Sequence, residues 1–280
     1  MPHLPSTARR LPRRAGPAAV LTALLALGPT LTPAAASDAA DARSTEPRPS
    51  IVLEHGAFAD ASGWDAVIRT LQKRGYTVYA PANPLRSLAG DTDYLKSFLA
   101  TLDGPVVLVG HSYGGAVITG AAAGNPAVKA LVYVAAYAPD EGESVAQATT
   151  LGGGTTQLLQ HITARPFPGA APGDADASID PAFFRQLFAQ DLPAPQAAQM
   201  AAAQRPAAFA TLAQPAGVPG WKTIPSWYLV ARDDHTIPPA AERAMAARAH
   251  AHTVEIDSSH AAMVSHPRAV SELILDAATS

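Results

Sequence analysis

The chain has 280 residues, of which 48% are hydrophobic and 15% charged, and it contains no cysteine. That length and apolar content suit one sizeable core and exclude a disordered or fibrous chain. A formal net charge of −3 leaves no basic footprint for nucleic acid past the N-terminal arginines, and the lack of cysteine excludes disulfides and thiolate metal ligands.

In chain order, Arg9, Arg10, Arg13 and Arg14 precede an apolar stretch over 18–27 and the small residues Ala34, Ala35 and Ala36. This is the layout of a secretory signal peptide ending at residue 36. The apolar stretch is too short to span a bilayer comfortably. Residues 37–49 then read as a linker, so the expectation is an exported protein, periplasmic or secreted, without membrane attachment after cleavage.

Apolar runs at 51–54, 77–80, 106–109, 130–135, 227–231 and 253–256 read as strands. Helical patterns fall between the early ones, at 64–73, 91–102 and 116–123. Continuously apolar strands alternating with helices predict a mostly parallel, doubly wound sheet covered on both faces, an α/β fold. The alternation breaks over 139–219, rich in Gly, Pro, Ala and Gln, with helical pieces at 181–190 and 195–204. This stretch is expected to be a helical cap inserted before the acid-bearing strand. It divides the core into 50–138 and 220–280, and a cap excludes water and selects substrates.

The chemistry starts at Gly110-His111-Ser112-Tyr113-Gly114, directly after an apolar strand and before a small-residue helix. G-x-S-x-G in that setting is the strained strand-to-helix turn that exposes a nucleophilic serine. Ser112 is therefore the candidate nucleophile. An acid and a base should follow in the order Asp/Glu then His. Arg232-Asp233-Asp234-His235-Thr236-Ile237-Pro238 lies just past one strand, and Ser258-Ser259-His260 just past the last. The ends of parallel strands are where such sheets carry functional groups. His260 is the candidate base and Asp234 the acid, with Asp233 as its substitute. The first strand runs into His55-Gly56-Ala57-Phe58. The backbone N–H groups of Ala57 and Tyr113 are the candidate oxyanion donors, with Phe58 the second choice for the first of them and a candidate pocket residue. His55 and His111 read as hydrogen-bonding neighbours of the turn, and His266 as an outer neighbour or a surface residue. His250 and His252 have no third ligand at usable spacing, and the Gly152-Gly153-Gly154 run does not lie between a strand and a helix as a phosphate loop would.

Taken together, His55-Gly56-Ala57, the Gly-His-Ser-x-Gly-Gly turn, Asp234-His235-Thr236-Ile237-Pro238 and His260-Ala261-Ala262-Met263 resemble the α/β-hydrolase superfamily. The resemblance spans about residues 50–276 and is nearest to the branch of plant methylesterases, hydroxynitrile lyases and bacterial esterase-like hydrolases. It implies the α/β-hydrolase fold, a serine–histidine–aspartate triad at Ser112, His260 and Asp234, a small-molecule ester substrate, and no cofactor or metal. The lyases carry a threonine after the first-strand histidine and a nitrile-binding lysine after the catalytic histidine. Here these positions are Gly56 and Ala261, which points to hydrolysis over cyanohydrin cleavage. Amide, lactone or carbon–carbon hydrolysis, perhydrolysis, and small-molecule binding without turnover remain open alternatives, and oligomeric state is not readable.

Overall fold

The computed structural model describes residues 47–280. The expected signal peptide and nearly all of the expected linker lie outside the described residues. The strands are β1 (Ser50–Glu54), β2 (Val78–Tyr79), β3 (Val106–Ser112), β4 (Val128–Ala136), β5 (Ile162–Arg165), β6 (Asp176–Ile179), β7 (Ala207–Ala208), β8 (Ser226–Ala231) and β9 (His252–Ile256). The helices are α1 (Asp65–Lys73), α2 (Leu88–Leu99), α3 (Tyr113–Ala122), α4 (Val145–Ala148), α5 (Pro181–Phe188), α6 (Ala194–Ala203), α7 (Ala210–Ala213), α8 (Pro239–Arg248), α9 (Ala262–Ser265) and α10 (Pro267–Thr279). Among the described residues, no helix is long and apolar enough to cross a membrane.

Six strands form one sheet in the order β2-β1-β3-β4-β8-β9, and every pair in it is parallel. Side chains alternate between faces along a strand, and the core divides accordingly. Val52, Leu108, Leu131, Tyr133 and Tyr228 pack beneath α2, α3 and α8, where Leu95, Ile118 and Met245 meet them. Ile51, Leu53, Val107, Val132 and Leu229 pack on the other side, against Val67 and Leu71 of α1 and Leu273 and Ile274 of α10. Burial on both faces explains why these runs are continuously apolar.

Each expected strand is present, but two helices begin earlier than the periodicity indicates. The α2 helix starts at Leu88 because the Ser87 hydroxyl caps it, accepting from Gly90 N at 3.1 Å. The α3 helix starts at Tyr113, immediately after the strand, so Ser112 is the junction residue itself. Between β4 and β8 the structure holds the expected helical pieces as α5 and α6. It also holds a three-stranded antiparallel sheet, β5-β6-β7, that the sequence did not suggest. Its strands are two to four residues long in a Gly-, Pro- and Ala-rich stretch, too brief for their alternation to stand out.

Leu108 lies in the middle of β3 with no exposed surface. Leu108→Ala should lower stability by about 2–5 kcal/mol, seen as a lower urea midpoint with an unchanged m-value.

Candidate active site

The backbone of Ser112 stands at φ 53° and ψ −127°, in the region L-residues avoid. Such a conformation costs roughly 1–3 kcal/mol and persists only where neighbours over-determine it. Here the neighbours are backbone. A Cβ on Gly110 would lie 2.6 Å from Gly115 N, and one on Gly114 would lie 2.5 Å from the Glu54 carbonyl oxygen. A Cβ on Gly56 would sit 2.6 Å from the Ser112 Cβ and 2.8 Å from the His111 carbonyl oxygen. The glycines of the turn and of the β1 loop therefore allow the two segments to close on the serine.

Asp234 and His260 come from the loops after β8 and β9 and are buried together. The His260 Nδ1–H donates to Asp234 Oδ2 at 2.5 Å, which fixes the tautomer. Asp234 Oδ1 accepts from the N–H groups of Thr236 at 2.6 Å and Ile237 at 2.9 Å. The other imidazole nitrogen, Nε2, is buried without a partner, and no hydrogen bond joins it to Ser112 in this state. Catalytic hydrogen bonds of this kind often tighten only when substrate binds. Asp233 is exposed, and it engages its neighbours through its backbone, donating from N to the Ser258 carbonyl at 3.2 Å.

His111 holds His260 from beneath. The His260 carbonyl can only accept, so His111 Nε2 carries the proton in their 2.9 Å bond. The two rings lie 4.7 Å apart, and Phe188 stands edge-on to His260 at 4.8 Å. Complete burial, and then the neighbouring His260, keep the His111 pKa well below the usual imidazole range, so it stays neutral. His55 fixes the opposite loop: its Nδ1 donates to the Gly56 carbonyl at 3.0 Å and its Nε2 accepts from Asn83 N at 3.0 Å. Asn83 Nδ2 returns a bond to the His55 carbonyl at 3.0 Å.

The N–H groups of Ala57 and Tyr113 make no hydrogen bond to any described residue, whereas the Phe58 N–H is used by the Arg205 carbonyl at 3.0 Å. Of the three candidate donors, Ala57 and Tyr113 are thus the free pair. The Tyr113 side chain points into the core and donates to Asp91 Oδ2 at 2.7 Å. Burial raises the pKa of Asp91, and burial together with Asp91 raises that of Glu54 beside it.

The last turn of α5 ties the acid and base loops together. Its carbonyls lack helical partners, as at any helix end. Gln186 O accepts from His235 Nδ1 at 2.8 Å, Leu187 O from the Thr236 hydroxyl at 2.8 Å, and Phe188 O from Ala261 N at 3.1 Å. A cavity of about 350 Å³ opens beside the site between the β1 loop and α6. It is lined by Phe58, Met200 and Met263 with Asp60, Gln196 and Gln199, but not by Ser112 or His260.

The structure therefore brings Asp234 and His260 into contact, sets Ser112 at the strained turn, and leaves Ala57 and Tyr113 with free donors. Phe58 lines the cavity, whereas Tyr113 does not and turns its ring into the core. His266 is partly exposed and bonds Ser265 Oγ at 2.9 Å. Sequence reasoning missed Glu242 and Phe188. Glu242 is a lone acid in an Ala-rich helix, which reads as a solvated face, and Phe188 sits in the segment with the least regular pattern.

A model of the alpha/beta hydrolase family matches residues 51–273. The pyrethroid hydrolase of Sphingobium wenxiniae is 30% identical over 253 residues, covering 81% of this chain and 86% of the relative. Methylesterase 18 of Arabidopsis thaliana is 28% identical, with 82% of this chain and 97% of the relative covered. A crystal structure of a pyrethroid hydrolase from Sphingobium faniae matches with a TM-score of 0.68 at 26% identity, over 83% of this chain and 98% of that one. The chain belongs to the alpha/beta hydrolase family, on its esterase branch. Ester hydrolysis is the general chemistry its relatives support.

Gly56→Ala would force a Cβ against the Ser112 Cβ and the His111 carbonyl. Overpacking against backbone should cost about 1–3 kcal/mol, measured as a lower thermal midpoint. The control Gly104→Ala has no atom within 4 Å of its Cβ, so there only the positive φ of 82° opposes the change.

Proposed function

We propose that the protein hydrolyses small, uncharged carboxylic esters through an acyl-enzyme on Ser112. The observation that carries this reading is the buried His260–Asp234 bond, which leaves a bare Nε2 lone pair on a histidine locked to the strand that ends in Ser112. His260 takes the Ser112 proton as the hydroxyl oxygen attacks the ester carbonyl. Asp234 holds the tautomer and stabilises the imidazolium that forms. The Ala57 and Tyr113 N–H groups receive the oxyanion, each donor contributing about 3–4 kcal/mol of transition-state stabilisation. Collapse expels the alcohol, which takes the proton from His260. Water, activated by the same histidine, then releases the acid.

The adjoining cavity disfavours an anionic substrate, and its apolar side chains favour an uncharged one. Its lining includes the carboxylates Asp60 and Asp65 and no lysine, arginine or histidine. Phe58, Met200 and Met263 offer apolar and polarisable contact to the part of the ester that does not react. The relatives named pyrethroid hydrolase and methylesterase are consistent with an ester substrate. The N-terminal leader pattern extends the proposal to export, checked by sequencing the N-terminus of the protein recovered outside the cytoplasm.

With a panel of p-nitrophenyl esters of rising acyl length, Ser112→Ala should lower kcat by at least about 10⁴-fold. Retention of wild-type turnover would sink the assignment. Asp234→Asn should cost about 10²- to 10⁴-fold, whereas the exposed Asp233→Asn should change the rate by no more than about twofold. The reverse ranking would move the acid to Asp233.

A further inference from the structure

Glu242 belongs to α8, yet it has no exposed surface. Its Oε2 accepts from the Ala231 N–H at 3.0 Å, at the very end of β8. Its Oε1 is buried and receives no hydrogen bond from any donor. Ala231, whose N–H Glu242 takes through Oε2, accepts from Asp234 N at 3.2 Å through its carbonyl, and Asp234 is the carboxylate beside Glu242. The remaining groups around it are Tyr228 of β8, Tyr137 after β4, and Arg243 on its own helix. Both tyrosine hydroxyls are engaged elsewhere, with Ala136 O and Thr149 Oγ1. Arg243 is turned to the surface, where it grips Glu255 at 2.9 and 2.8 Å.

Two carboxyl groups thus share a buried space with no cation turned toward them. Like charges in such a site cannot both ionise. Asp234 is the one bonded to His260 Nδ1–H and to two backbone N–H groups, so it is the better placed to carry the charge. We propose that Glu242 is a protonated carboxylic acid that donates from Oε1 to Asp234 and so positions the acid of the triad. Burial, and then the neighbouring Asp234, raise the Glu242 pKa well above the carboxylate range, in agreement with this placement.

The role rests on the proposed triad for its catalytic consequence, but the protonation itself does not. Glu242 is then a positioning residue acting through Asp234. Its donor restrains the carboxylate that orients His260, and its proton keeps a second negative charge away from the imidazole. Glutamine has the same shape and keeps both a donor and an acceptor, whereas leucine removes both and orphans the Ala231 N–H.

Stability as a function of pH reads the protonation directly. A group whose pKa is raised in the folded state stabilises the fold fully below its unfolded pKa, and that contribution is lost as pH rises through the folded value. Relative to E242Q, the wild-type unfolding constant should therefore grow about tenfold per pH unit above roughly pH 4.3 until the folded carboxyl ionises. A difference between wild type and E242Q that is flat with pH would mean an ordinary ionised Glu242 and would overturn the proposal. In ester turnover, E242L should lower kcat by about tenfold or more with little change in KM, the effect of a lost charge-assisted hydrogen bond. E242Q should rescue most of that loss. E242Q as inactive as E242L would exclude the positioning role even if the pH linkage held. Failure of the esterase reading would instead appear as ester turnover that survives Ser112→Ala, with the pH linkage at Glu242 intact.

Discussion

Everything at the site depends on how closely backbone approaches Ser112. The serine can hold its disfavoured φ only because three chain segments press on it without intervening side chains: β3 itself, the start of α3, and the loop after β1. Gly110, Gly114 and Gly56 are the points of contact, and at each the space for a methyl group is already taken by a backbone atom or by the serine. The same approach that strains the turn brings the Ala57 and Tyr113 N–H groups to it with their hydrogen-bonding capacity unspent. Strain and donor placement are therefore one geometric fact, not two separate devices.

The residues proposed as acid and base meet the opposite requirement. They must be held still while remaining chemically available, and the structure does this by engaging every atom but one. Asp234 is held by two backbone N–H groups and by His260, and His260 is gripped through its carbonyl by His111 and through the following N–H by Phe188. Nε2 alone is left unpartnered. Complete burial of His111 keeps it uncharged beside a histidine that the proposed mechanism would make cationic during turnover. A charged His111 would oppose that step, so its neutrality suits the proposed mechanism.

Much of this was legible in the residues. The central strands β1, β3, β4 and β8 are long enough and apolar enough for burial on both faces to show as unbroken runs, and G-x-S-x-G needs only short-range spacing to be seen. The order serine, aspartate, histidine follows from strand order, which is why Asp234 and His260 could be picked out although they lie far from Ser112 in sequence. What escaped was whatever depends on tertiary contact alone. The strands β5, β6 and β7 are four residues or fewer, one or two repeats that do not stand out from their Gly-, Pro- and Ala-rich surroundings, and α2 began early because a single serine capped it. Glu242 has the sequence surroundings of a solvent-facing helix residue, and only the packing of α8 onto β8 turns it inward. Asp233 and Asp234 are adjacent and chemically identical, so the turn after β8, and nothing in composition, decides which one faces the histidine.

The three carbonyls at the end of α5 carry a consequence for how this scaffold can change. They stitch the segment between β4 and β8 to both the acid and base loops, whereas α6, farther along that segment, makes no hydrogen bond to either. One edge of the covering segment is thus welded to the chemical machinery and the other is not. Variation in substrate range can accumulate along α6, at Gln196, Gln199 and Met200, without disturbing the alignment of His260. Insertions near residues 186–188 would transmit directly into it. The covering segment is in this sense a hinge plate with a fixed side and a free side, and new specificities should enter from the free one.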